Sequence, residues 1–159
     1  ERDYSTDRLL DLCISLEALL TKGSEHVTKQ LKERGPSLLS LACRYVCQRQ
    51  LDVVKEFLVD AYGERSRVVH GDIPYETDVE ETNIKLFELV RILSLKSIAL
   101  SIHLTKDEIK DRLDLVMTSS DARKDLESLL ETSTLAPFWN KPYERVSQLL
   151  PPKPTGQDE

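Results

Sequence analysis

The chain has 159 residues, of which 40% are hydrophobic and 31% are charged. This length suits one domain, and the apolar content is enough for a buried core, so we expect a globular protein. The formal net charge of −6 argues against a protein that coats nucleic acid indiscriminately. Residues 22–70 nevertheless carry nine basic and six acidic side chains. This stretch is compatible both with a modest attraction for phosphate and with ordinary solvated lysines.

The three cysteines lack the spacing of a disulfide framework, which is typical of a reducing compartment. Cys43 and Cys47 stand four residues apart without a further metal ligand at suitable spacing, so we expect thiols and no metal. No stretch approaches the roughly 18 apolar residues of a membrane span, and no signal-like start is present. These features favour a cytoplasmic protein with no membrane partner. The start at Glu1 leaves a larger parent protein open.

The first third of the chain predicts two helices. Ser5 is a suitable N-cap residue, and apolar residues repeat at helical spacing from there until Gly23. A second helical stretch covers residues 24–34. Gly35 and Pro36 are expected to interrupt it with a short turn or kink, after which a new apolar stripe begins.

The next helix is expected to run from Gln50 to His70, where Gly71 can adopt the left-handed conformation that ends many helices. Gly63 lies inside this helix. It is either a point of close helix approach across a dimer or a tolerated surface glycine that costs about 1 kcal/mol relative to alanine. Residues 71–81 contain glycine, proline and five acids without an apolar period, which predicts a surface loop.

Three further helices follow in the pattern. Residues 83–104 are apolar around most of the helical circumference, so this helix must be covered on several sides. Thr105 and Glu108 form a capping-box pattern that begins a shorter helix, and Ser119 or Ser120 begins another. The sequence therefore predicts an all-α bundle of about five to six helices.

The end of the chain differs in composition from the rest, because residues 133–159 hold five of the seven prolines. We expect a helical domain over 1–132 and a Pro-rich C-terminal extension over 133–159 that is partly or wholly disordered. Phe138 and Trp139 either dock on the bundle or remain free.

The candidate functional segment is Arg-Ser-Arg-Val-Val-His at residues 65–70. Arg65 falls on the apolar stripe of its helix, where an always-charged group needs an anion or a partner. It is either a binding residue or a structural arginine paired with a carboxylate such as Glu17 or Asp60. His70 is either an acid–base group or a helix C-terminal residue stabilised by the helix dipole.

This segment resembles a known family. The runs SLEALLTKGSEHVTKQLKER and FLVDAYGERSRVVHGD are similar to the Apea-like branch of the HEPN superfamily, over roughly residues 9–115. The resemblance implies a small all-α bundle, usually dimeric, and in many members a metal-independent endoribonuclease. Its motif is an arginine, four to six residues and a histidine, which Arg65 and His70 match. Ser66 departs from the stronger polar residue common after the arginine.

Cleavage of RNA needs a base, an acid and positive charge near the phosphate. One histidine per chain is insufficient for both proton transfers, and residues five apart on an ideal helix point about 140° from one another. A two-fold dimer would bring two copies of Arg65 and His70 into one cleft. Ser66, Arg67 and Asp72 are the candidate supporting or RNA-binding residues.

The leading hypothesis is therefore a metal-independent endoribonuclease without a cofactor, which would act as a defence or stress effector. Its expected partners are single-stranded RNA, a second copy of the chain, and a regulatory or antitoxin protein. The alternative is a non-catalytic module of HEPN type that serves dimerisation, or binds a nucleotide or a protein, within a larger chain. The acidic net charge and Ser66 favour this alternative.

Overall fold

A computed structural model describes residues 4–43, 47–72 and 79–140, and all structural statements refer to these ranges. Within them the chain forms seven helices and no strand, which confirms the all-α prediction. The helices are α1 (Tyr4–Leu20), α2 (Val27–Ser40), α3 (Gln48–His70), α4 (Glu80–Ser101), α5 (Lys106–Leu115), α6 (Ser120–Glu131) and α7 (Ala136–Asn140).

Helix α1 packs against α2, α3 and α4, and most extensively against α4. Asn83 of α4 donates a hydrogen bond from Nδ2 to the carbonyl oxygen of Ser5 at 2.7 Å. Leu19 and Ser97 line one cleft near the other ends of these helices, so α1 and α4 run in the same direction. The shared core contains Leu9, Leu12, Leu16 and Leu20 of α1 with Leu86, Leu89, Ile92, Leu93 and Leu100 of α4.

The predicted interruption at Gly35 and Pro36 is wrong, because α2 continues through both residues to Ser40. Residues 34–40 are all buried. A Cβ added at Gly35 would lie 2.6 Å from Cδ1 of Leu58, so glycine allows α2 and α3 to approach closely. This packing outweighs the roughly 3 kcal/mol that a proline costs inside a helix. Local propensity was overridden by tertiary contacts.

Two basic side chains satisfy the carbonyl groups at the end of α1. Arg34 donates from Nη1 to the carbonyl oxygen of Leu20 at 2.8 Å, and Lys110 donates to that of Thr21. Arg34 also binds both carboxylate oxygens of Asp114, at 2.7 and 2.8 Å. Because the last carbonyls of a helix carry partial negative charge, these cations are well placed.

The C-terminal part of the described chain follows its local signals. Thr105 and Glu108 form the predicted capping box at the start of α5, and Ser119 caps α6. Trp139 of α7 is completely buried, whereas Phe138 is 58% exposed. The first part of the expected extension therefore packs on the bundle. The remaining residues, 141–159, lie outside the described ranges, as do residues 73–78 of the predicted surface loop.

Candidate functional site

The C-terminal end of α3 has a geometry that glycine makes possible. Gly71 has a φ of 75°, as its sequence position predicts. Its N–H donates to the carbonyl oxygen of Val68 at 3.2 Å, and the N–H of Asp72 donates to that of Arg67 at 2.8 Å. This pair of bonds is a Schellman motif, which ends the helix while satisfying its last carbonyls. It leaves His70 and Asp72 exposed.

Arg65 points from α3 towards α1 and is only partly buried. Its Nη2 lies 3.6 Å from Oε1 of Glu17, and the two side chains are 26% and 28% exposed. The guanidinium also lies over the ring of Tyr62, 5.4 Å from its centre. Of the alternatives that the sequence left open, the carboxylate beside Arg65 is therefore Glu17. The cation–π contact adds a second stabilising interaction.

This ion pair leaves hydrogen-bonding capacity unused. A separation of 3.6 Å is too long for a hydrogen bond. Nε of Arg65, Oε1 of Glu17 and Oε2 of the neighbouring Glu64 are all buried without a hydrogen-bond partner among the described residues. Unsatisfied buried polar atoms are uncommon and require an explanation, such as a ligand or a second chain. Arg65 thus retains a buried N–H donor that has no partner in the described part of one chain.

The electrostatics of two neighbours reflect the same environment. Burial raises the pKa of the Cys13 thiol to about 12, although the positive charge of Arg65 acts in the opposite direction. Burial, followed by a hydrogen bond with Glu17, raises the pKa of Tyr62. Both groups are therefore neutral near pH 7. The negative charge of Glu17 therefore balances the positive charge of Arg65.

The remaining predicted site residues lie on the outer side of α3. Ser66 is half-buried, whereas Arg67, His70 and Asp72 are exposed. No hydrogen bond or ion pair joins Arg65 to His70 in the described part of one chain. The divergence of the two side chains agrees with the roughly 140° that separates residues five apart on a helix. A single chain therefore does not assemble a compact arginine–histidine pair.

Two exposed apolar side chains flank the Arg65–Glu17 pair. Ile14 precedes Glu17 by one turn of α1 and is 55% exposed, and Val69 follows Arg65 by one turn of α3 and is 52% exposed. Single exposed apolar side chains are common on protein surfaces, and these two mark the face of α1 and α3 that carries the Arg65–Glu17 pair.

The described residues contain no group of three or more His, Cys, Asp or Glu side chains that could hold a metal ion. Cys43 follows α2 and is half-buried, whereas Cys47 is exposed at the start of α3. The two cysteines therefore do not share one helix. None of the described helices is both long and apolar enough to cross a membrane.

Comparison of the chain with protein-family models, with curated proteins and with solved structures gives no significant match in any of the three. The fold and site described above define the protein as an all-α bundle with a half-buried arginine site between α1 and α3. The family resemblance, drawn over roughly residues 9–115, remains a hypothesis.

Sequence reasoning missed the buried lysines. Lys96 of α4 and Lys110 of α5 are 0% and 2% exposed, respectively. A signal was present, because Lys96 follows Ile92 and Leu93 at helical spacing and Lys110 follows Ile109 and precedes Leu113. A lysine among apolar residues on one helical face is usually assigned to the rim, since its long stem lets the amine reach water.

Proposed function

We propose that the chain is a HEPN-like domain that cleaves single-stranded RNA without a metal, through a composite site at a two-fold interface. Arg65 and His70 of each protomer would contribute to that site. The arginines stabilise negative charge on the phosphate, and the two histidines share the roles of base and acid. This arrangement supplies the second proton-transfer group that one chain lacks.

The observation that supports this proposal is the incomplete environment of Arg65. Its guanidinium carries an unused N–H donor, lies at a partly exposed position, and is flanked by the exposed apolar side chains of Ile14 and Val69. An isologous contact through these side chains would bury them and bring the ends of both α3 helices together. The phosphate would then replace Glu17 as the partner of Arg65.

The reaction is a transfer within the substrate. The base histidine removes the proton of a ribose 2′-hydroxyl, whose oxygen attacks the adjacent phosphorus. The bond from phosphorus to the 5′-oxygen breaks, and the second histidine protonates that oxygen. The products are a 2′,3′-cyclic phosphate and a 5′-hydroxyl end. Arginine remains protonated throughout and serves only to stabilise charge.

A second candidate function is a non-catalytic dimerisation or binding module. The observation in its favour is the Glu17–Arg65 ion pair, reinforced by the contact of Arg65 with Tyr62. On this hypothesis Arg65 fixes α3 against α1, and His70 is a helix C-terminal residue favoured by the helix dipole.

An assay of cleavage of a mixed RNA pool in the presence of EDTA distinguishes the nuclease from the binding module. We expect wild-type protein to release cyclic-phosphate ends. Arg65→Ala should lower the rate about 10²–10³-fold through loss of charge stabilisation, and His70→Ala about 10²–10⁴-fold through loss of proton transfer.

Matched controls are available elsewhere in the chain. His103→Ala removes another exposed histidine, and Arg91→Ala removes an arginine that is also half-buried and paired with a carboxylate, Glu88. Both should cleave like wild type. Equal activity of all four variants, or absence of cleavage by folded wild-type dimer, would reject the nuclease and favour the binding module.

A further inference from the structure

Helix α4 carries an exposed apolar stripe. Its members are Ile84, Phe87, Ile98 and Ile102, which are 47%, 45%, 53% and 66% exposed. Steps of three, eleven and four residues separate them, and each step returns to nearly the same direction on a helix. They are four of the nine large apolar side chains exposed in the described ranges. The sequence pattern of residues 83–104 predicts cover on several sides, and the described residues leave this side open.

The described chain ends against the same helix. Helix α7 contacts α4, as do α1 and α6. Trp139 of α7 is completely buried, and Asn140 is the last residue of the described chain. Trp139 therefore anchors the chain on α4 at the point from which residues 141–159 continue.

The sequence that follows has an apolar pattern of its own. Tyr143, Val146 and Leu150 stand at i, i+3 and i+7, and Leu149 is next to the last of them. Pro142 suits the first turn of a helix, and Pro151 ends one. A helix over residues 142–150 would be about 13 Å long, whereas the α4 stripe spans about 27 Å from its first to its last residue.

We propose that residues 142–150 dock as a short helix on the α4 stripe of the same chain. A stripe that is one helix wide, about 10 Å, has an area of roughly 300 Å², far below the about 800 Å² that each partner buries in a stable complex. A segment tethered at Asn140 has an effective concentration in the millimolar range, so this small area is sufficient for it. A separate molecule lacks that advantage. The docking is independent of the proposed RNA cleavage, because it involves neither Arg65 nor His70.

Limited trypsin digestion of the full chain tests the proposal through one peptide bond. Residues 141–159 contain Lys141, Arg145 and Lys153, but a proline follows each lysine and blocks cleavage there. The rate of cleavage after Arg145, followed by mass spectrometry, measures how often the segment leaves the stripe. We expect Ile84→Asp/Ile98→Asp to raise this rate at least about tenfold, because a charge placed against apolar side chains disfavours docking. Both positions are exposed, so the bundle should still fold.

Leu115→Asp/Met117→Asp is the matched control on the bundle. These two side chains are 51% and 54% exposed near the end of α5, so the variant should be cleaved like wild type. Circular dichroism checks the fold of each variant.

Variants of the segment complete the test. Leu149→Asp/Leu150→Asp should accelerate cleavage as much as the stripe variant, whereas Thr155→Asp/Gln157→Asp, which adds the same charge beyond the segment, should not. Combining the stripe and segment substitutions should add little, because both remove the same contact. Equal cleavage of wild type and the stripe variant would overturn the proposal. Wild-type cleavage that slows as protein concentration rises would also overturn it, because a second copy would then cover the stripe.

Discussion

At the scale of single residues, the buried amine of Lys96 binds carbonyl groups at the end of α2. Its Nζ donates to the carbonyl oxygens of Leu39 and Leu41 at 2.7 and 2.6 Å, and lies 3.3 Å from that of Leu38. Burial lowers its pKa. The cost of burying the amine is offset because it binds carbonyls at a helix end, which carry the negative end of the helix dipole.

Replacing this lysine tests that role. We expect Lys96→Met to lower the free energy of unfolding by about 2–3 kcal/mol, because methionine fills the space but leaves buried carbonyls unsatisfied. Urea denaturation measures the change. Lys85→Met on the same helix is the control, since Lys85 forms a surface ion pair with Glu81 and should cost less than about 0.5 kcal/mol. Equal losses in both variants would contradict this role.

Lys110 predicts a dependence of stability on pH. Its pKa is about 8 in the folded protein and near 10.5, the ordinary value for a lysine, when unfolded. Between these values the unfolded chain binds more protons, so the free energy of unfolding rises with pH. Below pH 8 both states are protonated and this contribution is constant.

The measurement compares wild type with Lys110→Met, so that other titrating groups cancel. We expect the stability difference, wild type minus variant, to increase by about 1 kcal/mol between pH 7 and pH 9. Lys124→Met should show no such change, because Lys124 is exposed. A difference that stays flat, or that falls as the pH rises, would be inconsistent with a depressed pKa at Lys110.

At the scale of elements, one glycine lies inside α3 and another directly follows it, and the two have different requirements. Gly63 lies inside the helix, is exposed, and an added Cβ would meet nothing within 4 Å. Within one chain it therefore faces open space, and the alternative of close approach across a dimer stays a prediction. Gly71 also has open space around it, but its φ of 75° is one that other residues rarely adopt.

The same substitution at these two positions should therefore change stability in opposite directions. Gly63→Ala is expected to raise the free energy of unfolding by about 0.5–1 kcal/mol, because alanine loses less backbone entropy in a helix. Gly71→Ala should lower it by about 1 kcal/mol through strain in the left-handed conformation. Thermal unfolding of the two variants measures both signs, and a shared sign would show that the helix end is not formed as described.

At the scale of the whole molecule, the proposed function depends on association through the face that contains Arg65. Val69 and Ile14 are exposed there, and Ile102 is an equally apolar, 66% exposed side chain at the far end of α4. A charge placed within a buried interface is strongly unfavourable, whereas a charge on an exposed surface is not. The two positions therefore offer a matched comparison.

Val69→Asp is expected to convert a dimer into a folded monomer and to lower RNA cleavage at least about tenfold, although Arg65 and His70 remain intact. Analytical ultracentrifugation gives the oligomeric state, and circular dichroism checks the fold. Ile102→Asp should remain dimeric and active. A strictly monomeric wild type, or a Val69→Asp protein that is monomeric and fully active, would refute the composite site.

The amino-acid sequence alone determined the features that depend on local interactions. The all-α fold class follows from apolar periodicity. The start of α5 follows from Thr105 and Glu108, and the end of α3 follows from Gly71. Each of these features involves residues within one or two helical turns. It also located Arg65 on an apolar stripe, and it named Glu17 as one of two candidate carboxylates without choosing between them.

Only the tertiary structure decided the outcomes that involve residues distant in sequence. Helix α2 continues through Pro36 because Leu58 packs on Gly35 from another helix. Lys96 is buried because it binds carbonyl groups on another helix end, whose residues precede it by more than 50 positions in the chain. Glu17, rather than Asp60, lies beside Arg65 because α1 crosses α3 at that level. Periodicity gives the face on which a side chain lies, but partners across helices depend on how those faces pack.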